Sequence, residues 1–187
     1  MFLLLLAACG SGAGLDNGAN GQAGDTSAVP CDERAPTATI GGSGVDDAGI
    51  PVWTEMPEGS DQTMVHGPQG GWHILGSVDV QSTDQVVNVE YVIQWPAHDD
   101  AQLRYGNFYV MLVPDDRCGG YYAGMLGILD VSAVADGERD TPPELLAGEE
   151  LRLVMNVTQR GDTAITASDE RLVIAALDPA DEPDTGL

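Results

Sequence analysis

The chain has 187 residues and carries 30 Asp and Glu side chains against seven Arg and no Lys, which gives a formal net charge of −23. A field of this sign repels phosphate backbones and anionic headgroups, so the composition argues against nucleic-acid binding and against electrostatic docking on a bilayer. The lack of Lys also excludes Schiff-base chemistry and a P-loop lysine, because both need that residue.

The chain begins with a short apolar run that ends at a cysteine. The last four residues of this run, Leu6-Ala7-Ala8-Cys9, resemble the lipobox of bacterial lipoproteins, in which a Leu and two small residues precede the cysteine that is acylated. The run has no cation before it and is shorter than an ordinary secretory signal, as in a truncated signal peptide. It is also far too short to cross a bilayer as a helix.

The lipobox resemblance implies that residues 1–8 are removed and that Cys9 becomes the lipidated first residue. Gly10 stands where an Asp commonly signals retention in the inner membrane, so the resemblance favours an outer-membrane anchor that faces the periplasm or the cell surface. Residues 9–30 have the composition of a flexible tether, and residues 178–187 that of a disordered acidic tail. We therefore expect one folded domain over residues 31–177.

Two cysteines remain once Cys9 is assigned to the lipid, namely Cys31 and Cys118. An exported compartment is oxidising enough for them to pair. A bridge that closes a loop of roughly 87 residues is worth up to about 4 kcal/mol in the chain-entropy model. We expect this disulfide, and two free thiols are the alternative.

From Trp72 onward, apolar residues alternate with polar ones, which is the period of a strand with one buried face. The alternation predicts strands over Trp72–Gln81 and Val87–Trp95, joined by a turn at Ser82–Gln85. Further runs with β-forming residues are Phe108–Val113, Tyr121–Val131, Leu151–Thr158, Thr163–Thr166 and Arg171–Leu177.

Seven to nine short strands separated by turns favour an all-β fold, namely an antiparallel β-sandwich of immunoglobulin-like architecture. A small closed β-barrel is the alternative. No long stretch shows an apolar stripe at helical spacing, so no long helix is expected.

A second resemblance lies at Gly67-Pro68-Gln69-Gly70-Gly71-Trp72-His73. This segment resembles secreted lipoproteins of myxobacteria-like bacteria, in which the same motif opens a β-strand, and Ala167–Val173 also looks like those proteins. The resemblance implies a lipid-anchored all-β domain and no particular activity.

The polar side chains in and beside this motif are candidates for contact with a ligand. They are Gln69, His73 and His66. In the simplest register, His73 lies on the face opposite Trp72 and faces solvent. The alternative is that these side chains only satisfy backbone groups of a turn and an edge strand, because two His without a third ligand do not make a zinc site.

Acidic doublets offer weak candidates for a calcium site, since hard cations take clustered carboxylates. The doublets are Asp46-Asp47, Asp99-Asp100 and Asp115-Asp116. In a chain this acidic, such doublets are more often solvated, so no cofactor is expected, although calcium stays possible.

No catalytic motif such as a Gly-x-Ser-x-Gly elbow occurs in the sequence. The sequence therefore favours a non-enzymatic, lipid-anchored envelope protein whose β-domain binds a protein or glycan or has a structural role. The alternative is a calcium-dependent binding module, or a hydrolase that uses loop carboxylates with His66 or His73.

Overall fold

The computed structural model describes residues 33–67, 71–116, 118–132, 134 and 145–178. These residues form ten strands: β1 Thr37–Val45, β2 Pro51–Glu55, β3 Asp61–His66, β4 Trp72–Gln81, β5 Val86–Trp95, β6 Ala101–Met111, β7 Val113–Pro114, β8 Gly119–Ile128, β9 Glu150–Gln159 and β10 Ala167–Leu177. One turn of 3₁₀ helix, Pro96–His98, separates β5 from β6. The predicted all-β class is confirmed.

The ten strands belong to one curled, mixed sheet that forms a half-barrel, an arrangement compatible with a β-sandwich or a barrel. Its order is β2-β1-β4-β3-β10-β9-β5-β6, and β8 pairs with β4 and with β7. Every pair is antiparallel except β3 with β10, which is parallel. The predicted antiparallel pairing therefore holds throughout the sheet except at this pair, where the last strand inserts between β3 and β9.

The curl of the sheet brings its two ends together. One edge of β4 pairs with β3 near Trp72 and with β1 beyond Gly76, while its other edge pairs with β8. At the end of β8, the Asp130 N–H donates a hydrogen bond of 3.0 Å to the Leu103 carbonyl of β6. Strands β6 and β8 therefore lie side by side.

The concave side of the sheet holds the core. The alternating residues of β5 and β9 are fully or almost fully buried there: Val87, Val89, Tyr91, Ile93, Trp95, Leu151, Leu153, Met155 and Val157. Each such burial is worth about 1.5–3 kcal/mol relative to exposure. The predicted period-two pattern of these strands is confirmed.

No helix in the described ranges is long and apolar enough to cross a bilayer.

Candidate functional site

The two histidines predicted as ligand contacts lie at the β3–β4 hairpin, on opposite faces of the sheet. His66 is the cross-strand partner of Trp72, and their ring centroids are 5.2 Å apart. His73 is the next residue along β4 and pairs with Val65, so its side chain points to the other face. The two imidazoles therefore do not converge, and Gln69 lies outside the described residues.

His73 lies on the face that the sequence predicted, but it does not face solvent. Only 6% of the residue is exposed. The cause is Gly67, where an added Cβ would collide with His73 Nε2. Because Gly67 has no side chain, the chain passes directly over the imidazole. The prediction of a solvent-facing His73 is thus wrong.

The burial of His73 changes its chemistry. Burial lowers the pKa of the imidazole below its usual 6.5, and the positive charges of His66 and Arg104 lower it further. Within the described part of the chain, its buried Nδ1 atom has no hydrogen-bond partner. His73 is therefore a neutral, covered imidazole rather than an accessible ligand.

A second group of polar side chains, which no sequence pattern predicts, lies on the concave side. Tyr91 of β5 is fully buried, and its hydroxyl has no hydrogen-bond partner among the described residues. An added Cβ would lie 2.8 Å from the Tyr91 ring at Gly76 and 2.9 Å from it at Gly127. Two glycines on β4 and β8 thus make room for the ring. Burial raises the pKa of the Tyr91 hydroxyl above its usual range, although the charge of Arg104 opposes this.

Arg104 of β6 faces the same interior. It is the cross-strand partner of the buried Ile93, so both side chains lie on the concave side. The other half-buried arginines of the described ranges are Arg152 and Arg171, which form ion pairs of 2.6 Å with Asp100 and 2.8 Å with Asp169. No ion pair joins Arg104 to any described residue, and its Nε atom is buried without a hydrogen-bond partner.

The acidic doublets proposed for calcium stabilise local structure instead of facing each other. Asp100 pairs with Arg152, and Asp115 Oδ2 accepts a hydrogen bond of 3.1 Å from Gln81. Asp46 Oδ1 accepts two backbone N–H bonds in its own turn.

The doublets are also too far apart to share an ion. Asp99 and Asp100 precede β6 and Asp115 and Asp116 follow β7, so the whole length of β6, roughly 33 Å, separates them. The described residues contain no group of three or more His, Cys, Asp or Glu suited to a metal ion.

The largest unexpected feature is an apolar surface on the convex side of β6, β7 and β8. Six of the ten exposed large hydrophobic side chains of the described chain lie there, and together they are called the apolar face: Tyr105, Tyr109, Met111, Val113, Leu126 and Ile128, which are 40–65% exposed. None of the three strands contains an acidic residue. The β-forming residues of Phe108–Val113 and Tyr121–Val131 predict strands, but they do not reveal that the outward positions are exposed and apolar.

Only one of the three cysteines lies in the described part of the chain. Cys9 and Cys31 are outside it, whereas Cys118 lies just before β8 with φ 78°. Arg34, three residues after Cys31, lines the same shallow groove as Cys118. Because three residues span at most about 11 Å, this placement favours the predicted Cys31–Cys118 bridge. The bridge stays a prediction.

No protein-family model matches the chain, and comparison with curated proteins gives no significant match. Function is therefore inferred from the chain's own residues.

Proposed function

We propose that this protein is a non-enzymatic, lipid-anchored component of the bacterial cell envelope whose β-domain binds a protein partner. The lipobox-like residues Leu6-Ala7-Ala8-Cys9 support the anchor and an outer-membrane location. The apolar face supports the binding function and is the observation that carries the proposal.

An exposed apolar face is unexpected in a chain with so many acidic residues. Thirty acids are available to cover the surface, yet β6, β7 and β8 contain none. Contiguous exposed apolar patches on soluble domains mark interaction sites or aggregation hazards. The composition of the face, with two Tyr and one Met and no charge, is that of the centre of a protein–protein interface.

The face suits a protein better than a glycan. Four of its six side chains, Met111, Val113, Leu126 and Ile128, offer no strong hydrogen-bonding group. Sugar hydroxyls would lose their bonds to water on such a surface without replacement, at a cost of about 1–3 kcal/mol for each unpaired group. An apolar protein surface has no such cost.

The binding function is tested by photo-crosslinking of the full chain in the envelope of a bacterial host. A photoreactive residue replaces Tyr109 in one variant and Ile165, which is 58% exposed in the β9–β10 turn, in the control. We expect a discrete adduct from position 109 only, and we expect Met111→Glu to abolish it. Equal adducts from both positions, or an adduct that survives Met111→Glu, would contradict the proposal.

The anchor is tested separately by fractionation of membranes. Cys9→Ala should release the protein into the soluble fraction and prevent incorporation of labelled fatty acid. Ser11→Ala, a change of similar size two residues further on, should leave it attached. Continued membrane association of the Cys9→Ala variant would rule out the lipid anchor.

A further inference from the structure

We infer that the protein partner is cationic around an apolar centre, because acidic residues border the apolar face. This inference rests on the proposed function and adds the chemistry of the partner. The surface that fits is one whose apolar side chains are surrounded by Lys or Arg.

The border consists of four acids on different sides of the face, called the acidic border: Glu90, Asp99, Asp116 and Asp130. Glu90 of β5 is the cross-strand partner of Asn107, so it lies on the same convex side as Tyr105 and Tyr109. Asp99 precedes β6, Asp116 follows β7 and Asp130 follows β8, and all three are exposed. The acids therefore lie beside the face and at its two ends.

Most of this negative charge is not compensated within the domain. Glu90, Asp99 and Asp116 form no ion pair with any residue of the described chain, unlike Asp100 and Asp169, which bind arginines. Arg104 is the only cation on β6, and its side chain lies on the concave side. The border thus presents net negative charge to an approaching partner.

The border also argues against a second copy of this chain as the partner. An isologous contact would place the acidic border of one copy near that of the other, and like charges at an interface oppose association. A cationic border on the partner has the opposite effect, since it raises the association rate by electrostatic steering and suppresses wrong partners. Added salt weakens this attraction.

The test uses two synthetic nine-residue peptides in which Leu and Thr alternate. One peptide has a Lys at each end, and the other has a Glu at each end. Fluorescence anisotropy of each labelled peptide gives its Kd for the purified full-length protein at 50 mM and 500 mM NaCl. We expect the Lys-ended peptide to bind at least about tenfold more tightly at low salt. The difference should shrink at high salt.

Variants separate the border from the net charge of the chain. Asp99→Asn with Asp116→Asn should reduce the preference for the Lys-ended peptide. Asp61→Asn with Asp162→Asn removes the same charge from exposed positions outside the border and should preserve that preference. An equal reduction in both double variants would overturn the inference, because the preference would then follow net charge alone.

The outcomes distinguish this inference from the proposed function. Suppose that the two peptides bind with equal affinity and that Tyr109→Ser with Met111→Ser abolishes the binding of both. This result would overturn the inference of a cationic partner but would still support the apolar face as the binding surface. Failure of both peptides to bind at 1 mM, or binding that survives those two serines, would contradict the proposed function as well.

Discussion

The backbone N–H of Ile40 donates a hydrogen bond of 2.8 Å to Oδ2 of Asp169, which joins β1 to β10. No main-chain ladder connects these two strands in the described part of the sheet. The same carboxylate oxygen accepts a bond of 2.8 Å from Arg171. One side chain therefore satisfies a backbone donor and a half-buried guanidinium at once.

Removal of this carboxylate should destabilise the domain. We expect Asp169→Ala to lower the free energy of unfolding by about 1–3 kcal/mol, because the Ile40 N–H and the Arg171 guanidinium lose their acceptor. Asp169→Asn should lower the free energy of unfolding by less, since the amide oxygen can still accept a hydrogen bond. Urea unfolding measures both, with the exposed Asp162→Ala as the control. Equal stability of Asp169→Ala and the control would contradict the role of the bond.

The hydroxyl of Tyr91 should contribute nothing to stability. It is buried without a hydrogen-bond partner among the described residues, so Tyr91→Phe removes a desolvated polar group and keeps the ring. We expect thermal unfolding to show an unchanged or higher Tm, as for Tyr109→Phe on the surface. A loss of more than about 1 kcal/mol would instead reveal a bound partner for the hydroxyl.

A side chain added at Gly76 should destabilise the domain while Tyr91 is present. An added Cβ would lie 2.7 Å from Met155 Cε and 2.8 Å from Tyr91 Cζ. We expect Gly76→Ala to cost about 1–3 kcal/mol through overpacking. In a Tyr91→Leu background the cost should be smaller, because the ring atoms are gone. Additive losses in the double-mutant cycle would show that the ring is not the obstacle.

His73 should make the domain less stable in mild acid. Its pKa is lowered in the folded state, so the unfolded chain binds the proton more readily. The contribution of the neutral His73 imidazole to folding stability is fully present above the pKa of the unfolded chain's imidazole, about 6.5. It is lost as the pH falls below that value.

His73→Leu should flatten the stability profile between about pH 7.5 and 5.5, whereas His98→Leu, at an exposed position, should not. Urea unfolding at each pH provides the measurement. An unchanged slope in the His73→Leu variant would show that other groups cause the acid sensitivity.

The Cys31–Cys118 bridge should be present in the exported protein. Thiol labelling under denaturing, non-reducing conditions should modify neither cysteine, and reduction should expose both. Reduction should also lower Tm, because the bridge restricts the unfolded chain. Two reactive thiols before reduction would disprove the bridge.

The sequence predicts best the strands whose two faces differ in polarity. Alternation located Trp72–Gln81 closely and identified the buried positions of β5 and β9. Strand β1 escaped prediction because Gly41, Gly42 and Gly44 break its apolar alternation. Those glycines are required because Trp53 and Thr54 of β2 occupy the space above them.

The candidate site was harder to predict than the fold, because it depends on what covers each residue. Alternation assigned His73 to the correct face, but the cover supplied by the hairpin at Gly67 is a tertiary effect. In the same way, Tyr109 and Met111 lie in a run of β-forming residues, and only the curl of the sheet shows that their side is convex and exposed.

The parallel pairing of β3 with β10 has a consequence for the order of assembly. The last strand of the chain lies in the middle of the sheet, between β3 and β9, and Ile174 pairs with Asp61 across most of the domain's sequence. Such distant pairing closes a long loop and is slow to form. Because the chain is synthesised from its amino terminus, β3 and β9 each have one unpaired edge until the last strand is available. Truncation before Ala167 would leave both edges unpaired and open to aggregation.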